Sequence, residues 1–200
     1  MCQDCNRFRK GEKIQRAVFL DRDGVILEER GYLSHPGDVS LIAGAAEAIK
    51  LFSRLGLKVV VVTNQSGIGR GLFTRRDYLR VKAAMDALLA RQGAKTDGEY
   101  FCPHAPWEEC GCRKPAPGLA LIAGKELGLN LDESFVVGDK RSDMEMARAI
   151  RAKSILVRTG YGWQTEKDGK PIWDAVAQDI GEAAKIIARW IEGSGDVGHG

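Results

Sequence analysis

Four short apolar runs stand out along the chain, at residues 16–21, 57–63, 135–139 and 154–158, and each is rich in branched or aromatic side chains. Unbroken apolar character over four to eight residues, without polar alternation, marks strands covered on both faces, as in a parallel sheet. Residues 99–102 and 172–176 are weaker candidates of the same kind. Helical spacing fills the intervals: residues 45–55, ending before Gly56; residues 75–92, with Thr74 placed to cap the start and Gly93 just past the end; and residues 119–127, closed by Gly128. Residues 143–150 and 180–192 complete the alternation. Strand and helix in turn predict an α/β fold, a doubly wound, Rossmann-like parallel sheet with helices on both faces. In such sheets ligands bind beyond the carboxyl ends of the strands.

Only about twenty residues separate the first strand from the first helix, too few for a second folded unit of ordinary size, so no large cap domain is expected. Residues 14–192 read as one domain, flanked by a mobile extension at 1–13 and a flexible tail at 193–200. With 200 residues and 44% hydrophobic content, a single core suffices for folding.

Charge narrows the partners. Thirty basic against 27 acidic side chains, a formal net charge of +3, are spread evenly, without the basic stripe that nucleic-acid binding requires. No apolar run approaches the roughly 20 residues of a membrane span, and residues 1–13 are polar, unlike a secretory signal. The expectation is a cytoplasmic monomer acting on a small molecule, with neither nucleic acid nor membrane as partner.

Candidate chemistry gathers just after the predicted strands: Asp21 with Asp23, Thr63 with Asn64, Arg113 with Lys114, and Asp139 with Asp143. Because strand ends converge, these separated residues can line one pocket. Carboxylates from two strand ends make a hard oxygen site suited to magnesium. A lysine and a hydroxyl supply contacts to a phosphoryl group. Each piece alone has a plainer reading: Asp-x-Asp-Gly is also a turn or part of a calcium loop, Thr63 an ordinary strand-end hydroxyl, Lys114 a solvated charge, and Asp139 a helix cap.

A second cluster follows the weak strand at 99–102. Cys102, His104, Cys110 and Cys112 supply three thiolates and one imidazole within eleven residues, a full tetrahedral set for a structural zinc in a loop at 102–112. Arg113 and Lys114 follow the last ligand directly, so the metal is expected to fix where they point. Cys2 and Cys5 form a separate Cys-x-x-Cys without a second pair; a head without function is expected, with a redox or metal half-site as the alternative.

Taken together, Asp21-Arg22-Asp23-Gly24, Val62-Thr63-Asn64, Arg113-Lys114-Pro115 and Gly138-Asp139-Lys140-Arg141-Ser142-Asp143 resemble the four motifs of the haloacid dehalogenase superfamily of phosphatases, over residues 16–192. The resemblance implies that Asp21 is the nucleophile and Asp23 the general acid/base. Thr63 and Lys114 would stabilise the transferring phosphoryl. Asp21 and Asp139 would bind magnesium through their side chains, and Asp23 through its backbone carbonyl.

Within the superfamily, the Cys/His loop is similar to two branches, acting on heptose bisphosphates and on histidinol phosphate. The segment from Asn64 through Gln65 and Ser66 to Arg70 and Gly71 resembles the heptose branch, whereas the histidinol branch carries an acidic residue in place of Ser66. Glu29-Arg30-Gly31-Tyr32 is similar to the sugar-contacting loop of the heptose branch, although Glu29 and Arg30 depart from its strict pattern. The resemblance implies removal of the 7-phosphate from D-glycero-D-manno-heptose 1,7-bisphosphate, in nucleotide-activated heptose synthesis. Arg113 and Lys140 join Glu29, Arg30, Gly31, Tyr32, Asn64, Gln65, Ser66 and Arg70 as expected substrate contacts. Arg113 has the bidentate geometry to anchor the phosphate that stays on the sugar, or to pair with a carboxylate. A non-catalytic zinc-binding module is the alternative from another class.

Overall fold

A computed structural model of the protein describes residues 15–193. Six strands form one all-parallel sheet: β1 (Ala17–Leu20), β2 (Lys58–Asn64), β3 (Gly98–Cys102), β4 (Phe135–Gly138), β5 (Lys153–Val157) and β6 (Ala175–Ala177), in the order β3-β2-β1-β4-β5-β6. Seven helices accompany them among the described residues: α1 (Ala45–Arg54), α2 (Ser66–Gly69), α3 (Arg75–Arg91), α4 (Gly118–Leu127), α5 (Arg141–Ala149), α6 (Gly162–Lys167) and α7 (Ile180–Gly193).

Alternate residues of each strand enter two separate cores. Val18, Val59, Val61 and Val137 join Ile49 of α1, Met85 of α3 and Ile187 of α7 on one face. Phe19, Val60, Val62 and Val136 join Leu119 and Ala123 of α4 and Met144 of α5 on the other. A strand covered on both faces has no polar side to present, which is why the sequence runs were unbroken. Burial of each large side chain contributes roughly 1.5–3 kcal/mol.

All six anticipated strands are present. The last starts three residues and ends one residue later than its predicted span and is an edge strand, where the apolar demand is weakest. Thr74 caps α3 as expected: its hydroxyl accepts from the Asp77 N–H, and Asp77 accepts from the Thr74 N–H. Helix α5 starts two residues before the predicted position, because the Asp143 carboxylate folds back to accept from the Lys140 N–H at 3.0 Å. Asp139 is therefore not the cap of this helix. Two short helices, α2 and α6, and a 3-10 turn at Pro36–Asp38 have no counterpart in the sequence reading, since pieces this short carry no periodicity. Residues 21–44 hold only that turn and isolated bridges, with no inserted domain. The expected extension at 1–13 and nearly all of the tail at 193–200 lie outside the described residues; Gly193 ends α7.

The strand order reverses between β1 and β4, the place where open α/β sheets form a crevice. The Asp21 N–H donates to the Val137 carbonyl at 3.1 Å, so the pairing of β1 with β4 runs one residue past the strand. Asp21 thereby stands on the floor of the crevice.

Candidate active site

A cleft of about 380 Å³ opens over the carboxyl ends of the strands. Asp21 and Asp23 from the end of β1, Thr63 and Asn64 from β2, Arg113 and Lys114 from the segment after the Cys/His loop, and Lys140 after β4 all reach it. The four separate stretches of sequence thus converge.

Lys114 is the hub. Its ammonium lies 3.0 Å from Asp21 Oδ1 and 2.6 Å from Asp143 Oδ1, and it donates to the Val62 carbonyl at 2.7 Å. Its backbone is clamped by Asn64, whose side-chain oxygen accepts from the Lys114 N–H at 3.0 Å and whose amide donates to the Lys114 carbonyl at 3.1 Å. A fully formed set of partners is needed, because Lys114 is 4% exposed and a buried ammonium without counter-charges is very costly. Burial works against the charge of Lys114, but Asp143 and Asp21 outweigh it and raise its pKa. Burial likewise pushes Asp21 up, yet Lys114 and Lys140 hold its carboxyl below the usual range.

Asp139 faces the opposite balance. Buried at 0% exposure and close to the charge of Asp21, it is pushed up to about 8, with Lys140 opposing the shift. Its Oδ2 accepts from the Tyr161 N–H at 2.8 Å, while Oδ1 is buried without a hydrogen-bond partner among the described residues. Two glycines make room for this carboxylate. A Cβ on Gly24 (φ +86°) or on Gly160 (φ +57°) would lie 2.3 Å from Asp139 Oδ2, closer than real Cβ atoms come. Carboxylate oxygens of Asp21, Asp139 and Asp143 lie within 4.8 Å of one another, all three residues buried. Three crowded carboxylates, with Asp139 Oδ1 buried and accepting no hydrogen bond among the described residues, form a donor set that a hard divalent cation fits.

Asp23 does not belong to that side-chain cluster. Its carboxylate is gripped by the Arg22 guanidinium through Nε and Nη2, at 2.9–3.2 Å, and accepts from Gln65 Nε2 at 2.9 Å. The same Gln65 nitrogen donates to Thr63 Oγ1 at 2.9 Å. Gln65, expected to contact substrate, lines the cleft but spends its amide N–H groups on two neighbouring site residues.

The remaining expected contacts divide. Glu29, Gly31, Tyr32, Ser66 and Arg113 line the cleft. Arg30 instead pairs with Glu28 at 2.9 Å, and Arg70 stacks on Trp107 with its Cζ 5.1 Å from the ring centroid. Neither of these two arginines lines the cleft. Lys140 is shared between Glu29 at 3.2 Å and Asp139 at 3.6 Å, and sits over the Tyr161 ring. Tyr161 and Ser142 line the cleft and were not singled out from the sequence. Arg22 was visible there only as part of a motif, and Asp143 as a candidate beside Asp139. No pattern in the sequence reveals their buried contacts.

The second cluster also assembles. Cys102 Sγ lies 3.3 Å from Cys112 Sγ and 3.7 Å from Cys110 Sγ, and His104 Nδ1 lies 3.2 Å from Cys112 Sγ and 3.5 Å from Cys102 Sγ. A tetrahedral zinc with its usual bond lengths sets edges of about 3.4–3.8 Å, so these four atoms could hold one. Gly69 ties the loop to α2: its N–H donates to the Pro103 carbonyl at 2.8 Å, and a Cβ there would lie 2.4 Å from the Ala105 nitrogen.

Comparison with known proteins agrees with this geometry. The family model described as HAD-hydrolase-like matches residues 111–183. A D-glycero-beta-D-manno-heptose-1,7-bisphosphate 7-phosphatase of Helicobacter pylori is 40% identical over 168 residues, 80% of this chain and 97% of that protein. The enzyme of the same name from Yersinia pestis is 41% identical over 179 residues, 86% and 94% of the two chains. Among solved structures, a D,D-heptose 1,7-bisphosphate phosphatase from B. bronchiseptica, complexed with magnesium and phosphate, superposes with a TM-score of 0.83 at 30% identity, covering 88% of this chain and 99% of that one. A carboxylate-lined crevice at the sheet's switch point and relatives this similar over nearly their whole length lead to one conclusion: the chain belongs to the haloacid dehalogenase family and is one of its phosphatases.

Proposed function

We propose that the protein removes the 7-phosphate of D-glycero-D-manno-heptose 1,7-bisphosphate through an aspartyl-phosphate on Asp21. The observation that carries this reading is the placing of Asp21: a carboxylate at the switch point, held by Lys114 at 3.0 Å and exposed to the cleft beside two further buried carboxylates. The names of the relatives and the cleft lining by Asn64, Gln65 and Ser66 support the choice of sugar.

Asp21, Asp139 and Asp143 are the residues that would hold magnesium. When bound, the ion supplies the positive charge that lets an anionic nucleophile approach an anionic phosphate. Lys114 and Thr63 face the phosphoryl oxygens and stabilise the charge that develops on them. The Asp21 oxygen bonds to phosphorus as the bond to the sugar oxygen breaks, and Asp23 hands that oxygen its proton. Asp23 then takes a proton from the water that attacks the aspartyl-phosphate, freeing Asp21 and inorganic phosphate. Arg113 anchors the phosphate that remains on the sugar. Cys102, His104, Cys110 and Cys112 would hold a structural zinc, which would fix the loop from which Arg113 and Lys114 follow. The even spread of charge supports a monomer working on a small cytoplasmic sugar phosphate, and residues 14–192 acting as one domain.

Steady-state kinetics on a panel of phosphates tests the assignment. The heptose 1,7-bisphosphate is expected to give the highest kcat/KM; a preference for histidinol phosphate would reject the proposed substrate. Asp21→Asn is expected to lose at least about 10³-fold in kcat while melting like the parent, and appreciable residual turnover would reject the nucleophile.

A further inference from the structure

We infer that Arg22 is a positioning residue that sets the orientation of the Asp23 carboxylate from beneath the site, an inference that rests on the proposed role of Asp23. Arg22 is 0% exposed, and its side chain reaches no part of the cleft. Its guanidinium forks onto Asp23, with Nη2 at 2.9 Å and 3.0 Å from the two carboxylate oxygens and Nε at 3.2 Å from both. The third nitrogen, Nη1, is buried with no hydrogen-bond partner among the described residues.

A buried cation with an unsatisfied nitrogen is an expensive way to fill space, and an apolar side chain would do so at lower cost. What an arginine adds is a rigid planar fork that dictates both the position and the plane of a carboxylate. The fork is itself braced. The Tyr78 ring of α3 lies under it, with Cζ 5.3 Å from the ring centroid. The Tyr78 hydroxyl donates to Glu99 of β3, whose buried carboxylate lies 3.5 Å from Lys82. A chain of contacts thus runs from the α3–β3 side of the sheet to one oxygen pair in the cleft.

The geometry also shows how fully the carboxylate is held. An ionised carboxylate offers about four acceptor sites. Nε lies 3.2 Å from both oxygens, Nη2 lies 3.0 Å from Oδ1 and 2.9 Å from Oδ2, and Gln65 Nε2 reaches Oδ2 at 2.9 Å, so both oxygens are held. Held in this way, Asp23 passes a proton to the leaving oxygen as the bond from that oxygen to phosphorus breaks and the bond to Asp21 forms. Without the guanidinium only Gln65 holds the carboxylate among the described residues, through one oxygen, and proton delivery suffers before phosphate binding does.

The test uses leaving groups of different acidity. An alkoxide needs the proton as it departs; p-nitrophenolate does not. The value of kcat/KM covers only the steps up to loss of the leaving group, so it isolates this transfer from the later hydrolysis. Arg22→Lys keeps the charge but cannot fork, and it is expected to lower kcat/KM about tenfold or more for the sugar phosphate relative to p-nitrophenyl phosphate, within the range a general acid contributes. An equal loss on both substrates overturns the inference, because a merely structural role would disturb both. Asp23→Asn serves as the reference: absence of the selective loss there rejects the role of Asp23 itself, whereas its presence there but not in Arg22→Lys rejects only the positioning role. Glu99→Gln, which removes the charge behind Tyr78 without changing shape, is expected to show the same selectivity at about two- to threefold. If Arg22→Lys does not melt cooperatively, an unselective or unchanged Glu99→Gln overturns the inference on its own.

Discussion

At the residue scale, the site is an exercise in placing charges that only one another can satisfy. Lys114 sits between Asp21 and Asp143, so among the described residues Asp139 is left with only the more distant Lys140 as a cationic partner, at 3.6 Å from its Oδ1. The orientation of Lys114 depends on Asn64, which grips its backbone on both sides. Asn64→Ala removes two hydrogen bonds, about 1–3 kcal/mol in all, and should cut kcat roughly tenfold or more, as read by steady-state kinetics beside a thermal melt. Arg113→Ala should raise KM for a bisphosphate much more than for a monophosphate, and equal effects would deny it the anchoring role. The chemical types at these positions were legible in the sequence, because Asp, Thr, Lys and Arg at strand ends have few other uses in combination. Gln65 shows the limit: the resemblance of its segment to the heptose branch implied substrate contact, and it lines the cleft, yet its amide N–H groups go to Asp23 and Thr63, partners that depend on side-chain rotamers.

At the element scale, the Cys/His loop and α2 act as one piece. Gly69 has no side chain because the loop backbone passes against it, and the loop leads straight into Arg113 and Lys114. Purified protein should carry about one zinc per chain by metal analysis, and its removal with a chelator should lower kcat/KM and the melting temperature together. Zinc-free protein with unchanged kinetics would separate the loop from catalysis. The four members of the Cys/His cluster could be read from spacing alone, since sequence neighbours within eleven residues can hardly fail to meet. The helix α2 could not, because four residues carry no periodic signal and its place is set by the loop packed on it. The start of α5 was misjudged by two residues for a similar reason: the Asp143 carboxylate closes its first turn.

At the scale of the whole molecule, the doubly wound sheet gathers acidic groups from the ends of β1 and β4 where water is scarce. Burial and the charge of Asp21 push Asp139 up to about 8. A carboxyl whose folded pKa lies above its unfolded value costs stability as pH rises from the unfolded toward the folded pKa, and a bound cation relieves that cost by favouring the ionised form. Magnesium should therefore raise the melting temperature more at pH 8 than at pH 6, with affinity falling roughly tenfold per pH unit below about 8 if one proton is displaced. A pH-independent shift in differential scanning fluorimetry would argue against the buried carboxylates as its site. By itself, the sequence determined the alternation of elements, the parallel sheet and the four chemically charged strand ends, because unbroken apolar runs and residue types are local properties. Only the tertiary structure decided that Asp143 shares Lys114 with Asp21, that Arg22 and Gln65 hold Asp23, and that Arg30 and Arg70 turn away from the cleft. Those outcomes follow from strands β1 to β4 lying side by side, which brings together residues up to 122 positions apart, and no spacing along the chain encodes where a buried side chain finds its counter-charge.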